Sequence, residues 1–272
     1  MSVVLISRGS MSGGQIIAKC LEHIAGLRCV MREDLVALVN QRGELANKVM
    51  ASIDGAARNY EKFSELRRPY KILMRLALLD YARKGNLAYL GYSGHLLVEG
   101  ISHFVKVRLI APIQLRTKTT MEQLRCGEEE ALEFIRRADE ERIRWGRFMY
   151  GKNIQDPRLY DLCINMDKLS FAGVCSLLMR VIEEREYQPT DESLAALENL
   201  YVAAKVEAAL VTHPKTFAYE IAARANDGRV SLEGPYLEDP ERSLVAEIVG
   251  AVPGVASVEY LPGYAPSLEF LP

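Results

Sequence analysis

Short apolar runs alternate with longer amphipathic stretches over the first two thirds of the chain. Residues 3–7 form an apolar, β-branched run, a turn rich in Gly and Ser follows, and apolar residues then recur at helical spacing through residue 24. Similar patterns predict strands at 28–30, 86–90, 104–110 and 161–164, and helices at 33–62, 66–84, 120–150 and 170–186. This alternation predicts an α/β domain with a mainly parallel sheet over residues 1–186.

The pattern changes at residues 187–192, a polar stretch with a proline that predicts a linker. Beyond it, Asp227-Gly228 suits a tight hairpin, and Asp239 followed by Pro240 is typical of an N-cap and a first helical residue. The predicted elements are a helix at 193–210, strands at 219–223 and 229–233, a helix after residue 239 and a strand at 256–260. The order αββαβ predicts a second, smaller α/β domain over residues 193–272.

Composition and charge are those of an ordinary globular protein. The chain has 272 residues, of which 49% are hydrophobic, and a formal net charge of −2. This charge gives no general attraction to nucleic acid, so we expect no nucleic-acid partner. The apolar runs are shorter than a membrane span, and the N-terminal run lacks the flanks of an export signal. We therefore expect a cytoplasmic protein without an integral membrane segment.

The cysteines and histidines do not indicate a metal site. The five cysteines include no C-x-x-C pair, and their odd number does not suggest a disulfide framework. The four histidines lack the spacing of metal ligands. We expect five buried, reduced thiols and no metal bound by the chain.

The turn after the first predicted strand has the two-glycine spacing of a phosphate-binding P-loop. Four residues stand between Gly9 and Gly14, which lie between a strand and a helix, where backbone N–H groups can converge on an anion. The lysine and hydroxyl positions of such a loop hold Gln15 and Ile16, so cationic charge must come from elsewhere, and Arg8 is nearest. On spacing alone, phosphate binding and a simple turn both stay open. The candidate phosphate ligands are Gly9, Ser10, Ser12, Gly13, Gly14 and Gln15.

Residues 7–15, Ser-Arg-Gly-Ser-Met-Ser-Gly-Gly-Gln, resemble the opening motif of the cytidylate kinase-like family, P-loop relatives of nucleoside monophosphate kinases. Met11 stands where the family commonly has Gly, and Gln15 where it commonly has a basic residue. Segments 107–112, 139–142, 150–152 and 160–165 continue the resemblance, which covers residues 1–186. It implies a three-layer P-loop kinase fold, nucleotide substrates, and ATP and Mg²⁺ as cofactors.

The resemblance also implies roles for residues outside the loop. Tyr92 and Ser93 lie where true cytidylate kinases read cytosine with an Arg-Asp pair, and because both are uncharged, specificity for cytidine does not follow. Asp139 and Arg142 match a D-x-x-R motif that contacts the acceptor. The arginine expected four residues before Asp139 is Ile135 here, and Arg136 and Arg137 are the candidate substitutes. The implied catalytic residues are Arg8, Arg137 and Arg142, and the implied acceptor ligands are Tyr92, Ser93 and Asp139.

The charged stretch at 136–152 has a second interpretation. Glu133 and Arg137, and likewise Glu140 and Arg144, are i,i+4 pairs in the favourable order. The stretch could therefore be a solvated helix face rather than a lid over the phosphates, and both interpretations stay open.

Residues 226–234 and 252–258 resemble a BON domain. The first segment has the pattern Asp-Gly-x-Val-x-Leu-x-Gly, and the second contains Pro-Gly-Val-x-x-Val. Such modules bind membranes, ligands or partner proteins and have no catalytic residues. The resemblance therefore implies a protein or lipid partner for the second domain, and a homo-oligomer stays open as well.

Two functions follow from these features. The first is a nucleotide phosphotransferase with a degenerate P-loop, which moves the γ-phosphoryl group of ATP to a nucleoside monophosphate or a similar small acceptor. The second is a catalytically inactive nucleotide- or anion-binding protein that signals through the BON-like module, an alternative that the missing charge at Gln15 favours. A scaffold without a nucleotide site is a third, and ATP binding separates it from the other two.

Overall fold

Helices and strands alternate along the computed structural model of the chain, which describes residues 2–55 and 59–263. The strands are β1 (Val3–Arg8), β2 (Arg28–Met31), β3 (Leu87–Leu90), β4 (Phe104–Ile110), β5 (Leu162–Asn165), β6 (Ala222–Asn226), β7 (Arg229–Gly234) and β8 (Ser257–Pro262). The helices are α1 (Gly14–Ala25), α2 (Arg32–Asn40), α3 (Glu44–Gly55), α4 (Arg67–Ala82), α5 (Ile113–Leu124), α6 (Glu128–Tyr150), α7 (Phe171–Glu183), α8 (Asp191–Val211) and α9 (Asp239–Gly250). Among the described residues, no helix combines the length and the apolar character that crossing a membrane requires.

The chain divides into two compact units. The first combines Met1–Asp34 with Lys84–Thr190, and the second combines Leu35–Arg83 with Asp191–Pro272. One boundary between the units, after Thr190, falls inside the predicted linker at 187–192. The division into domains 1–186 and 193–272 stays a prediction, and residues 264–272 of the second lie outside the described residues.

The first unit is built on a five-stranded sheet with the order β2-β3-β1-β4-β5. All of its strand pairs are parallel, as helical connections between strands require. β1 and β4 lie side by side, so that Ser7 is opposite Arg108 and Arg8 is opposite Leu109. Apolar residues of α1 and α7 join those of the strands in one buried cluster. The predicted α/β fold with a mainly parallel sheet is confirmed.

The second unit contains a three-stranded sheet with the order β6-β7-β8. β7 runs antiparallel to β6 and parallel to β8. Residues of α8 and α9 share a buried apolar cluster with these strands, and α4 packs along α8. The predicted αββαβ order is therefore present as α8-β6-β7-α9-β8.

Two of the predicted helices are interrupted. The helix predicted at 33–62 is broken at Gly43, whose φ of 114° is a left-handed value that glycine adopts without strain. The helix predicted at 120–150 is divided at Arg125, whose φ is 55°, so that α5 ends there and α6 begins after Gly127. Apolar periodicity continues across both breaks and therefore did not reveal them.

Two details of the C-terminal elements also differ from prediction. The strand predicted at 219–223 begins only at Ala222, because the Tyr219 N–H donates to the Thr216 carbonyl in a turn. The N-cap of α9 is Glu238 rather than Asp239, and the Glu238 N–H donates to the Glu241 carboxylate at 3.1 Å. Because the Glu241 carboxylate bonds back to the N-cap three residues earlier, the N-cap is one residue earlier than predicted.

The cysteines correct a further expectation. Cys20 of α1 and Cys175 of α7 form a disulfide with their Cα atoms 6.4 Å apart, so the prediction of five reduced thiols is wrong. The free cysteines are not buried either, because Cys163 is exposed and Cys29 and Cys126 are partly exposed. Packing of α1 against α7 brings together two residues 155 positions apart in the chain, which no local pattern shows.

Candidate functional site

The loop between β1 and α1 presents backbone donors at one edge of the sheet. The Gly9 N–H donates to the carbonyl oxygen of Leu109 in β4 at 3.2 Å, which ties the loop to the neighbouring strand. Gly13, with a φ of 81°, is the N-cap of α1, and Met11 has a φ of 57°. These turns bring backbone amides and the N-terminus of α1 to one place, where an anion can bind.

The two serine hydroxyls of the loop have different surroundings. Ser12 Oγ lies 2.9 Å from the carbonyl oxygen of Gly9 and 3.4 Å from that of Leu109, so it supports the loop from within. Ser10 is 2% exposed, and its Oγ has no hydrogen-bond partner among the described residues. A buried hydroxyl without a partner costs free energy, which a hydrogen bond to a bound oxyanion would recover.

Arg8 borders the loop at the end of β1. A Cβ atom on Gly14 would overlap Arg8 Cδ and lie 3.1 Å from Nε, so glycine at position 14 lets Arg8 lie against the start of α1. Burial, followed by the charge of Arg142, lowers the pKa of the Arg8 guanidinium. Arginine stays charged at neutral pH. A cation whose charged form is disfavoured in this way is stabilised by a nearby anion.

One face of α6 brings charged residues to the loop. Helical spacing puts Asp139 and Arg142 on the same side as the buried residues Ile135 and Gly146. The Asp139 Oδ1 atom accepts a hydrogen bond from the Ser10 N–H at 3.2 Å and lies 3.7 Å from Arg142 Nη1. The D-x-x-R motif is therefore in direct contact with the loop.

Arg116 of α5 lies on the same loop. Its Nε donates to the Ser10 carbonyl oxygen at 2.7 Å, and its Nη2 lies 2.6 Å from Asp139 Oδ2. The guanidinium covers Gly9, since a Cβ atom there would be 3.7 Å from Arg116 Cζ. With 12% of its side chain exposed, Arg116 is held in a single position by the loop and by the Asp139 carboxylate.

These groups line a cavity of about 130 Å³. Its charged lining residues are Arg8, Arg108, Arg116, Arg142 and Asp139, a formal surplus of three positive charges that favours an anion. A volume of this size holds about four water molecules. It therefore suits a phosphoryl group rather than a whole nucleotide, whose binding sites are several times larger.

Two of the three predicted acceptor ligands, Tyr92 and Asp139, contact Arg142. The Arg142 Cζ atom is 4.4 Å from the centroid of the Tyr92 ring, and its Nη2 donates to the Tyr92 hydroxyl at 3.4 Å. The Tyr92 carbonyl oxygen accepts from Ser7 Oγ at 3.1 Å, which ties this turn to β1. Ser93 is buried in the turn itself. Tyr92 and Asp139 are thus the two acceptor candidates that contact Arg142.

A buried polar cluster holds Arg108 in place. Both Arg108 Nη1 and the Tyr160 hydroxyl donate to the carbonyl oxygen of Ile154, at 2.8 and 2.7 Å. The His95 ring packs 4.5 Å from the Tyr160 ring. Burial, and then the charges of Lys106 and Arg108, lowers the pKa of His95 to about 3. His95 is therefore neutral at physiological pH and too weak a base to take part in proton transfer there.

Four of the predicted site residues line the cavity, namely Arg8, Gly9, Asp139 and Arg142, and two of the others are exposed to solvent. Arg137 forms an ion pair with Glu133 on the solvent face of α6, where 57% of its side chain is exposed. Gln15 is exposed in the first turn of α1. α6 thus has one face toward the loop and one toward solvent, and Arg137 belongs to the second. The roles assigned to both residues stay predictions.

Two cavity residues were missed by sequence reasoning. Arg108 had a signal, because it is one of two basic residues that alternate with apolar ones in β4, a strand with parallel neighbours on both sides. Arg116 had no comparable signal, since it lies in a polar stretch of α5 without a motif. Its place on the loop depends on how α5 packs against α6.

Comparison with known proteins finds relatives for the first two thirds of the chain. A family model described as the cytidylate kinase-like family matches residues 3–168. A cytidylate kinase of Ignicoccus hospitalis is 26% identical over 184 residues, which are 67% of this chain and 99% of that protein. A cytidylate kinase of Pyrococcus horikoshii is 28% identical over 126 residues, 46% of this chain and 64% of that protein.

A solved structure is similar in fold. It is that of an uncharacterized protein from Eubacterium ventriosum, with a TM-score of 0.54 and 17% sequence identity. The similarity covers 68% of this chain and 100% of that chain. At this level of identity it shows a shared α/β fold.

Proposed function

Because the chain belongs to the cytidylate kinase-like family, we propose that it transfers the γ-phosphoryl group of ATP to a nucleoside monophosphate or a similar small acceptor. At the family level it is a nucleotide kinase-like phosphotransferase. The single observation that carries the proposal for this chain is the arginine-rich cavity beside the loop between β1 and α1. The identity of the acceptor is left open, because the uncharged Tyr92 and Ser93 give no reason to prefer cytidine.

On the donor side, the loop binds the phosphates of the nucleotide. The backbone amides of the loop, the buried Ser10 hydroxyl and the N-terminus of α1 supply hydrogen bonds and partial positive charge. Arg8 adds a full positive charge at the end of β1. The proposed phosphate ligands are Gly9, Ser10, Ser12, Gly13, Gly14 and Gln15, with Ser12 contributing its amide because its hydroxyl bonds to the loop itself.

On the acceptor side, Arg142 and Asp139 orient the nucleophile. An acceptor oxygen attacks the γ-phosphorus, the bond from that phosphorus to the β–γ bridging oxygen breaks, and ADP leaves. Arg8 and Arg142 lower the barrier because they stabilise the charge that develops on the transferred group. Arg137 would join them only after leaving Glu133.

The residues present fit phosphate better than they fit Mg²⁺. The position of the metal-binding hydroxyl in a P-loop holds Ile16, which is 49% exposed. Among the described residues, no group of three or more His, Cys, Asp or Glu side chains could hold a metal ion. Kinases of this family use ATP and Mg²⁺, and here the metal would take its ligands from the nucleotide phosphates and water.

A transfer assay tests the proposal. We expect labelled phosphate to move from ATP to at least one member of a panel of nucleoside monophosphates. Arg142→Gln is expected to lower the rate about 100-fold, as loss of a transition-state charge contact does. Arg144→Gln is the matched control, because Arg144 is on the same helix but 47% exposed and paired with Glu141. Clear ATP binding without transfer to any acceptor would contradict the proposal.

Calorimetric titration with ATP and with CMP separates the remaining alternatives. Absence of binding by either nucleotide would support a scaffold without a nucleotide site. The inactive regulatory alternative finds no support in the comparisons, because both named relatives are cytidylate kinases.

The role of the C-terminal residues is a separate proposal. The BON-like pattern at 226–234 lies in the β6–β7 hairpin, and the pattern at 252–258 leads into β8. The resemblance supports a protein or lipid partner for this module, which co-sedimentation with anionic vesicles would distinguish from a protein partner. The cytoplasmic location also stays a prediction.

A further inference from the structure

We propose that Arg116 is the cation that contacts a phosphate bound at the loop between β1 and α1, in place of the lysine that position 15 lacks. The inference rests on the proposed function, since it assigns the phosphate donor to this loop. It concerns a residue that sequence reasoning missed and that no comparison identifies.

The loop needs a cation that its own residues do not supply. Gln15 stands at the lysine position and is exposed and uncharged. Backbone amides and a helix N-terminus provide only about half an elementary charge. A nucleotide phosphate carries more negative charge than that, so an additional full positive charge beside the loop strengthens binding.

Arg116 is the arginine that lies directly on the loop. Its Nε bonds to the Ser10 carbonyl oxygen at 2.7 Å, and its Nη1 and Nη2 atoms are both 3.9 Å from a Cβ position on Gly9. Arg142 instead stacks on Tyr92, on the acceptor side. Arg8 lies against Gly14 from the end of β1. Among the other cavity arginines, Arg116 has the position from which a guanidinium reaches a loop-bound phosphate.

The structure already contains an oxyanion between the loop and Arg116. The carboxylate of Asp139 accepts hydrogen bonds from the Ser10 N–H at 3.2 Å and from Arg116 Nη2 at 2.6 Å. A loop amide together with a guanidinium is the donor set that phosphate oxygens prefer. The buried Ser10 hydroxyl, without a partner among the described residues, is a further donor at this place. A bound phosphate therefore replaces the Asp139 carboxylate as the ion-pair partner of Arg116.

Calorimetric titration of the full chain with MgATP tests this assignment. Arg116→Gln is expected to weaken ATP binding about 10- to 100-fold, the effect of losing a hydrogen-bonded charge. Lys118→Gln removes the same charge from an exposed position two residues further along α5, and it is expected to change affinity less than about twofold. Equal affinities for the wild type and Arg116→Gln would overturn the proposal.

Gln15→Lys provides a rescue. If Arg116 does the work of the missing lysine, Gln15→Lys restores at least about 10-fold in affinity to the Arg116→Gln protein and gives a smaller gain in the wild type. The same gain in both backgrounds would show that positions 15 and 116 act independently, which would overturn the proposal.

Folding and function are checked separately. Because Arg116→Gln leaves the Asp139 carboxylate without its closest partner, Arg116→Gln combined with Asp139→Asn is measured too, and weak ATP binding is again expected. ATP affinity decides the role of Arg116, whereas phosphate transfer by the wild type decides the proposed function. Loss of ATP binding in a protein that transfers nothing would contradict the function alone, and unchanged binding in an active enzyme would contradict the role of Arg116 alone.

Discussion

Single residues decide how the loop between β1 and α1 can meet an anion. Gly14 has no Cβ and lets Arg8 lie against α1, and the buried Ser10 hydroxyl of the loop has no hydrogen-bond partner in the described part of the chain. Met11 adopts left-handed backbone without being glycine. The site therefore combines one position where glycine is needed with one where it is missing.

Replacing Met11 with glycine is expected to stabilise the protein. Left-handed backbone costs a residue with a side chain about 1–2 kcal/mol, while glycine loses about 0.5–1 kcal/mol more chain entropy on folding. Met11→Gly should therefore raise the free energy of unfolding by about 0.5–1 kcal/mol in urea titrations. Met11→Ala keeps the Cβ atom and should give no such gain. A stability of Met11→Gly below that of Met11→Ala would contradict this account.

His95 should make the stability of the protein depend on pH. The groups that face it are Tyr160, Lys106 and Arg108, and its pKa is lowered to about 3. In the unfolded chain, where its pKa is near 6.5, His95 binds a proton that it does not bind in the folded chain. The stabilisation from neutral His95 is therefore complete above about pH 6.5 and declines as the pH falls toward 3.

Between pH 7 and pH 5 this coupling should cost the wild type about 2 kcal/mol. Urea titrations of His95→Gln should show a loss smaller by that amount over the same interval. His23→Gln, at an exposed position of α1, is the control and should behave like the wild type. Identical pH dependence in the wild type and His95→Gln would show that His95 is not kept neutral by the fold.

At the scale of elements, helix α6 has one face toward the loop and one face toward solvent. The face of α6 that holds Asp139 and Arg142 contacts the loop, and the face that holds Arg136 and Glu133 forms ion pairs in solvent. The two interpretations of the charged stretch each describe one face. In contrast to the solvent-exposed ion pairs of α6, the ion pair between α4 and α8 is mostly buried.

The Arg75–Glu207 pair of α4 and α8 is expected to contribute to stability. Only 3% of the Glu207 side chain is exposed, so Arg75→Met leaves a buried carboxylate without its ion-pair partner. We expect a loss of about 2–3 kcal/mol in the free energy of unfolding, since the Ala223 N–H still donates to Glu207. Adding Glu207→Gln to Arg75→Met removes the buried charge and should restore most of the lost free energy of unfolding. A double variant no more stable than Arg75→Met would contradict the explanation.

At the scale of the whole molecule, the family match and the compact units divide the chain differently. The family model covers 3–168 without interruption. Leu35–Arg83 nevertheless belongs to the same unit as Asp191–Pro272, and α4 packs along α8. The C-terminal residues are therefore part of the surroundings of helices that lie between β2 and β3 in the sequence.

A chain that ends at Thr190 should fold poorly for this reason. Without α8, the apolar surface of α4 that packs on it and the Asp80 partner of Tyr201 are exposed. We expect such a chain to bind 8-anilinonaphthalene-1-sulfonate strongly and to lose cooperative thermal unfolding, in contrast to the full chain. Cooperative unfolding at the temperature of the full chain, without dye binding, would show that residues 191–272 form an independent appendage.

Local patterns by themselves determined most of the elements and the nature of the loop. Strand and helix periodicity predicted the α/β sheet, because side-chain alternation and helical spacing are local properties of buried faces. The spacing of Gly9 and Gly14 likewise predicted a turn between a strand and a helix, since that geometry depends on neighbouring residues only, and it left phosphate binding open. Left-handed breaks at Gly43 and Arg125 escaped prediction because apolar periodicity runs through them.

Only the tertiary structure decided which charges surround that loop. Asp139 and Arg142 reach it because one face of α6 is buried, and Arg116 reaches it through the packing of α5. Arg137, on the same helix, faces solvent instead. A net charge of −2 over the chain says nothing about these positions, because residues more than a hundred positions apart meet only when the sheet and its helices are packed. The sequence alone therefore determined that a cation was missing from the loop, and the fold determined that Arg116 lies there.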